Sequence, residues 1–267
     1  MLHCYGENSF TFLLFQKLHE SDQLISLLLT NLKPFCSDSK VSKNQKDNLA
    51  DLIKKKHPPA EVWLFPNFGK GSGFGEPDAL VLYGEHTFWF EVETNFNLKS
   101  RMSSARKSFV QLLRFYYLNR ALAQGIRVRK NVGKNHEVVM GPTITGKGKI
   151  KDGVLRLAGH KVLNDLREKL IPAAESNRDH YVLLSDNKMK GISKETEQKT
   201  ALNSFFEQVT REINSKFIER SNKNASLVPP VEPTINRFWY QYYEADLKNK
   251  GALLENNTAR YVPISSE

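Results

Sequence analysis

The sequence predicts an α/β fold, with a mixed central β-sheet flanked by helices and a helical elaboration at the C-terminal end. Three short segments rich in β-branched and aromatic residues follow one another between positions 61 and 93, as the strands of a meander do. On either side of them, at residues 7–29 and 100–123, apolar residues recur at helical spacing. With 267 residues, the chain is long enough to bury a full core.

The first predicted helix covers residues 7–29. Apolar side chains recur along it at four-residue intervals, at Phe10, Leu14 and Leu18. Glu7 lies near its start, where a carboxylate interacts favourably with the partial positive charge of a helix N-terminus.

The meander consists of three predicted strands, Glu61–Phe65, Asp78–Tyr83 and Thr87–Glu93. Gly84 and Glu85 connect the second strand to the third and suit a type II′ turn, which needs glycine at its first central position. The third strand carries apolar residues on both faces, which is typical of a central strand.

This turn would set the register of the hairpin and bring four carboxylates to one end of it. Asp78 would lie opposite Glu91. Two residues farther along, Glu76 would lie opposite Glu93 on the same face, because strand side chains alternate. Like charges in such positions repel unless they are solvated or hold a cation. The pattern indicates a site for Mg²⁺ or Mn²⁺, which prefer oxygen ligands, and the alternative is the solvated end of an ordinary hairpin.

A second long helix is predicted from Ser100 to about Ala123. Its buried stripe is predicted to contain Ala105, Phe109, Leu112, Leu113 and Tyr116. Lys107, Gln111 and Arg114 lie on another face, where they can bind the phosphates of a nucleic acid. The alternative is a solvated helix face with no ligand.

A Pro-Asp pair at the start of one strand, an acid-x-charged tripeptide at the end of the next and a following helix resemble the PD-(D/E)XK nuclease superfamily. The resemblance covers about residues 61–125 and implies a restriction-endonuclease-like core. It also implies an endonuclease that hydrolyses DNA phosphodiester bonds with Mg²⁺ or Mn²⁺, in which Asp78 and Glu91 are catalytic metal ligands. Glu7 would correspond to the first-helix acid that leans toward the metal in this family. Glu93 would bind a second ion or act as the base for the attacking water.

One residue departs from the family pattern. Glu93 stands where the family usually has lysine, a variation that occurs in some restriction enzymes of the superfamily. It leaves a second interpretation open, a catalytically degenerate nuclease fold that binds DNA or a protein partner without cutting. Many relatives cut both strands as homodimers, so the resemblance also implies a homodimer.

Basic residues outnumber acidic ones by 39 to 29, for a formal net charge of +10, which suits a protein that lies along a polyanion such as DNA. Lys147, Lys149 and Lys151 lie in a predicted basic insertion at about 126–175 and are predicted to bind the DNA backbone. Protection of edge strands by lysine is the alternative. The glycine-rich run at 69–75 lacks P-loop spacing and is predicted as a flexible loop beside the acidic site.

The predicted domains are a nuclease-like core at 1–190, which contains the basic insertion, and a helical C-terminal extension at 191–267. Within the core, Lys161–Leu170 is predicted as a short helix that ends near Pro172. His180–Leu184 is predicted as a further strand of the same sheet.

The C-terminal extension is predicted to begin with an amphipathic helix at Thr196–Arg220. The aromatic cluster at 238–243 can stack on unpaired bases, but aromatic residues in a row more often anchor a terminal segment to the core, and that role is predicted.

The two cysteines, Cys4 and Cys36, provide neither a disulfide framework nor a zinc pattern, which favours a reducing, cytoplasmic location. Charged residues interrupt the apolar N-terminal stretch, so neither a signal peptide nor a membrane span is expected.

Overall fold

Helices and strands are interspersed along the chain in the computed structural model. It describes residues 2–20, 22–35, 39–54, 60–68, 73–93, 104–124, 126–130, 136–145, 148–156, 161–185, 195–223, 237–242 and 259–262. Within these ranges the helices are α1 (Gly6–His19), α2 (Asp22–Thr30), α3 (Ser39–Lys54), α4 (Ser104–Gln124), α5 (Lys161–Glu175) and α6 (Glu195–Lys223). The strands are β1 (Leu2–Tyr5), β2 (Lys33–Pro34), β3 (Glu61–Leu64), β4 (Ala79–Tyr83), β5 (His86–Glu93), β6 (Ile126–Lys130), β7 (His136–Ile144), β8 (Ile150–Arg156), β9 (Asp179–Ser185), β10 (Phe238–Tyr242) and β11 (Ala259–Val262).

The central sheet contains six of the described strands, in the order β2-β10-β9-β5-β4-β3. The strands β3, β4 and β5 pair antiparallel as a meander, whereas β5, β9 and β10 run parallel. The predicted α/β class, the mixed sheet with flanking helices and the meander are therefore confirmed. Strand β5 lies in the interior of the sheet, as its apolar residues on both faces predict.

Neighbouring residues of β5 enter different cores on the two faces of the sheet. Trp89 stacks on Phe115 of α4, with ring centroids 6.2 Å apart. Phe90 packs edge-on against Phe15 of α1, with centroids 4.9 Å apart. Burying each such aromatic side chain contributes about 1.5–3 kcal/mol. Because both faces of β5 are covered in this way, the carboxylates at its end stand on a rigid support.

The strands β6, β7 and β8 form a separate antiparallel sheet, called the small sheet below, that lies beside α4. A side chain at Gly153 of β8 would collide with the ring of Phe74, which is fully buried ahead of β4. Glycine at this position therefore lets the small sheet approach the segment that leads into β4. The small sheet begins in the region predicted as a basic insertion.

The predicted single helix at 7–29 is two helices, so that prediction is wrong. Helix α1 ends at His19 and α2 begins at Asp22. The sequence has Ser21 and Asp22 at the break, and side chains of these types favour helix ends over helix interiors. Leu18 and Ile25 are buried in the same core, so the break allows both helices to pack on one face of the sheet.

Helix α5 continues through Pro172, so the prediction that it ends near this residue is wrong. Proline lacks a backbone donor but keeps its carbonyl, and the N–H of Ser176 bonds to the carbonyl of Pro172 at 3.0 Å, so helical bonding continues past the proline. The helix ends in a Schellman motif. Asn177 has the left-handed φ of 61°, and the N–H of Arg178 bonds to the carbonyl of Ala173 at 2.7 Å. This tight end leads directly into β9.

The C-terminal part contributes a strand to the central sheet as well as a helix. Helix α6 confirms the predicted amphipathic helix, and its buried apolar side chains include Leu202, Phe206, Val209, Ile213 and Phe217. Strand β10 lies between β2 and β9, with Phe238, Trp239 and Tyr240 buried. The prediction that these aromatics anchor the segment to the core is confirmed. The region at 191–267, predicted as a helical extension, thus also contains a strand of the central sheet. The aromatic side chains of this strand alternate between the two faces of the sheet.

Helix α4 confirms the second long predicted helix, and every residue of its predicted stripe is buried. The predicted start at Ser100 lies outside the described residues, and the described helix begins at Ser104. None of the helices in the described ranges is long and apolar enough to cross a membrane.

Candidate functional site

The end of β5 lies beside the start of β4 at the candidate site. Tyr83 pairs with His86 across the hairpin turn, which confirms the predicted register. Gly84 has a φ of 59°, as the first central residue of a type II′ turn requires. The paired residues end at Ala79 and Phe90, and Asp78, just ahead of β4, donates its backbone N–H to the carbonyl of Phe90 at 3.0 Å.

Asp78 is half-buried, and its Oδ2 atom accepts a hydrogen bond from the backbone N–H of Val92 at 2.7 Å. Burial raises the pKa of Asp78 from 3.8 to about 6; the bond from Val92 lowers it, and the charge of Glu93 raises it further. Asp78 is therefore fixed in position by a backbone donor while its ionisation is opposed by its surroundings.

The two glutamates of β5 lie near polar side chains of α4. Ser108 Oγ donates a hydrogen bond to Glu93 Oε2 at 3.2 Å. Burial lowers the pKa of Arg114, and the negative charge of Glu91 opposes that shift, which places the guanidinium near this carboxylate. Helix α4 thus brings a hydroxyl and a cation to the acidic end of the hairpin.

Gln111 and Arg114 contact the segment that precedes β4. Arg114 Nη1 donates to Gln111 Oε1 at 2.7 Å, and Arg114 Nε donates to the carbonyl of Gly73 at 3.1 Å. Gln111 Nε2 lies 3.5 Å from the carbonyl oxygen of Glu76, which is a long contact. A side chain at Gly75, whose φ is 85°, would collide with the Gln111 amide. Glycine there allows the end of the glycine-rich run to lie against α4.

The small sheet reaches the same segment from the other side. Thr143 Oγ1 donates to the carbonyl of Gly73 at 3.1 Å. A Cβ on Gly73 would lie 2.8 Å from Lys151 Nζ, so this lysine crosses closely over the glycine. Lys149 is exposed, and Lys147 lies outside the described residues. Of the three predicted basic residues, Lys151 is the one that the described structure brings next to the loop beside the acids.

The remaining predicted site residues are Lys107, Glu76 and Glu7. Lys107 and Glu76 are exposed. Glu7 lies in the first turn of α1, and its side chain lies outside the described part of the structure. Within that described part, no three side chains of His, Cys, Asp or Glu are grouped so that they could hold a metal ion together. The four carboxylates that were expected to meet are therefore not grouped as a metal site within that part, although Asp78 and Glu93 lie close enough for their charges to interact.

The resemblance to PD-(D/E)XK nucleases is a prediction from the residues between 61 and 125. No protein-family model, curated protein or solved structure matches the chain. The functional interpretation therefore depends on the geometry of the described residues.

Two polar residues near the site were missed from the sequence, Ser108 and Thr143. Ser108 precedes Gln111 and Arg114 at three-residue spacing, so the three share a helix face, and this spacing was a usable signal. The prediction grouped Lys107 with the last two instead. Thr143 had no local signal, because it meets the glycine-rich loop only through packing of the small sheet.

A second polar cluster, also missed from the sequence, lies at the opposite end of the parallel strands. The fully buried carboxylate of Asp179 pairs with Arg120 of α4 and, at 2.7 Å, with Arg237. Tyr181 donates its hydroxyl to the same carboxylate, and burial followed by the charge of Asp179 raises the pKa of Tyr181 well above its usual value. Because Arg120 is itself only 7% exposed, this network ties α4 to β9 inside the fold.

A cleft of about 380 Å³ adjoins this second cluster, and His86, His180 and Trp239 are among its lining residues. Burial, with His86 nearby, lowers the pKa of His180 to about 3, so this imidazole is neutral. Trp239 Nε1 donates to His180 Nδ1 at 3.2 Å. His180 therefore carries its proton on Nε2 and donates it to His86 Nδ1, 2.9 Å away. These contacts fix both imidazole orientations.

Stability should depend on pH through Asp78. The pKa of Asp78 is about 6 in the fold, above its ordinary value of 3.8. Its contribution to the free energy of unfolding is therefore fully present below pH 3.8 and is lost as pH rises through 6. We expect Asp78→Asn, which can still accept the Val92 bond, to remove this loss. Relative to the native chain, the variant should gain on the order of 2 kcal/mol between pH 4 and pH 8. Urea unfolding across this range without divalent metal measures it. Glu76→Gln, at an exposed carboxylate, should follow the native curve; identical curves for all three proteins would contradict the expectation.

Proposed function

We propose that this chain is a metal-dependent endodeoxyribonuclease that hydrolyses phosphodiester bonds of DNA. One observation carries the proposal: Asp78 bonds to the backbone of Phe90 and of Val92, the two neighbours of Glu91, at the end of a buried central strand, with Glu93 two residues farther on. Carboxylates at the end of a rigid, buried strand are more typical of a site than of a solvated hairpin.

The donor set suits a hard divalent ion. Mg²⁺ binds through one or two carboxylates and keeps water in the rest of its shell, so Asp78 and Glu91 are sufficient first ligands. Glu7 and Glu93 are the further candidates. Mg²⁺ or Mn²⁺, when bound, would activate water and stabilise the charge that develops on the phosphate. A cation would also offset the repulsion between Asp78 and Glu93.

The protein's own groups would divide the remaining tasks. Asp78, held by the Val92 N–H, and Glu91 would keep the ligand oxygens in place. Glu93 would accept the proton of the attacking water, oriented by its bond from Ser108. Lys151, together with exposed Lys149, would bind the DNA backbone on the small sheet, since the net charge of +10 favours a polyanion.

A second candidate function is a nuclease fold that binds DNA without cutting it. It is favoured by Arg114: burial lowers the pKa of this guanidinium, whereas the negative charge of Glu91, which acts on it, raises that pKa. It is also favoured because the described residues contain no group of three potential metal ligands.

Cleavage and metal titration separate the two functions. Purified protein should nick or cut plasmid DNA with Mg²⁺ or Mn²⁺ and should be inactive in EDTA. Isothermal titration of Mn²⁺ into the protein should give binding that Asp78→Ala weakens. DNA binding with neither cleavage nor metal uptake at millimolar concentrations would establish the binding module instead.

The small sheet provides a further prediction about DNA binding. Lys149→Ala with Lys151→Ala should weaken binding of duplex DNA alike for all sequences. The slope of log affinity against log salt should flatten by about two units if each lysine contacts one phosphate. Fluorescence anisotropy at several salt concentrations measures the slope. The matched control is Lys40→Ala with Lys43→Ala, two exposed residues on α3 across the central sheet. Equal slopes for the two double variants would show that the small sheet does not bind the backbone.

A further inference from the structure

The end of β3 contains an exposed aromatic residue in a strained backbone conformation, next to Asp78. Phe65 has a φ of 47°, in the left-handed region that non-glycine residues rarely adopt. It also precedes Pro66, and the residue before proline is normally extended. Its backbone N–H donates to the carbonyl of Asp78 at 3.0 Å, which fixes Phe65 beside the candidate site.

The local structure explains the backbone conformation but not the side chain. The chain turns at Phe65, and the two following apolar side chains, Pro66 and Phe68, are buried. Phe68 stacks on Trp89 with centroids 5.5 Å apart. Glycine at position 65 would make the same turn without steric cost. Phe65 therefore places a phenyl ring, 38% exposed, at a position whose backbone conformation favours glycine.

We propose that Phe65 stacks on an unpaired base beside the scissile phosphate, so that the substrate is DNA with single-stranded character at the cleavage point. This inference rests on the proposed function and adds the substrate class to it. A phenyl ring stacks on any base, because every base has a π face, and the contact is lost when the bases are stacked inside a duplex. An aromatic ring at the edge of the sheet, one backbone hydrogen bond from Asp78, can hold such a base while the phosphate lies at the carboxylates.

The test compares single-stranded and blunt duplex DNA of the same sequence, by fluorescence anisotropy in EDTA and by cleavage with Mg²⁺. Phe65→Ala and Phe65→Gly should each lower affinity for the single strand by about 5- to 150-fold and leave duplex affinity within about twofold. Phe65→Trp should retain the single-strand affinity. Phe12→Ala on α1, where the ring is 48% exposed, is the matched control and should change neither affinity.

Comparing Phe65→Gly with Phe65→Ala separates the effect of losing the ring on DNA affinity from any effect on the stability of the fold. Both Phe65→Gly and Phe65→Ala remove the ring, but only alanine leaves a Cβ in the left-handed conformation. Phe65→Gly should therefore have a Tm about 2–4 °C above that of Phe65→Ala, although both lose single-strand affinity equally. If the native chain binds and cuts DNA while the Phe65 variants match it on both substrates, the stacking role is wrong and the nuclease proposal stands. If the native chain neither binds nor cuts DNA of either kind, the nuclease proposal fails and the stacking role fails with it.

Discussion

Asp78→Ala is expected to reduce DNA cleavage by about 10³-fold or more while leaving DNA binding nearly unchanged. The substitution removes the ligand oxygens that the backbone N–H of Val92 holds in place at 2.7 Å. A bound metal contributes several kcal/mol to stabilising the transition state, and about 4 kcal/mol corresponds to a factor of 10³ in rate. Glu91→Ala should act in the same direction. Single-turnover cleavage, with anisotropy in EDTA for binding, measures both effects.

The matched control for these variants is Glu85→Ala, in the turn at the other end of the same hairpin. Glu85 is exposed and forms a surface ion pair with Arg178. Its removal should leave cleavage at the native rate. Cleavage that survives in Asp78→Ala or Glu91→Ala would show that the acidic end of the hairpin is not the active site.

Asp179→Ala is expected to lower the free energy of unfolding by about 3–5 kcal/mol. The substitution leaves Arg120, 7% exposed, without its buried carboxylate and also removes the partner of Arg237. A buried cation without a counter-charge lowers the free energy of unfolding more than the loss of a surface ion pair does. The reason is that the low-dielectric interior does not solvate the cation. Urea unfolding at pH 7 measures the change, and the Tm should fall on the order of 10 °C.

A double-mutant cycle separates the charge effect from lost packing. Arg120→Met in the Asp179→Ala background should recover part of the stability, because it removes the unpaired cation and keeps an apolar side chain of similar length. The exposed pair of Glu85 is again the control, and Glu85→Ala should change stability little. If Asp179→Ala and Glu85→Ala have the same stability, the buried network is not important for the fold.

The local sequence pattern was sufficient to predict the hairpin that carries the acids. Alternating side chains identified β5 as a central strand, and the glycine at the turn set the register that pairs Tyr83 with His86. Helix α4 followed from its apolar period, and its whole predicted stripe is buried. These features depend on residues only a few positions apart, which is why they can be predicted from sequence.

Packing between distant segments decided what surrounds the acids. Arg114 and Gly73, whose hydrogen bond places the glycine-rich run against α4, are 41 residues apart. Thr143, which bonds to the same glycine, is 70 residues from it. No local period predicts such pairs, since they form only when segments far apart in the sequence meet in space.

The sequence by itself thus determined the strand order of the meander, the register of its hairpin and the basic character of the chain. The tertiary structure alone decided that β10 enters the central sheet, that Asp179 is buried between two guanidinium groups and that Phe65 takes a left-handed conformation. Turn chemistry and side-chain alternation act over a few residues and are written in the local sequence. Burial and charge pairing depend on which segments meet in space, and only the complete fold brings them together.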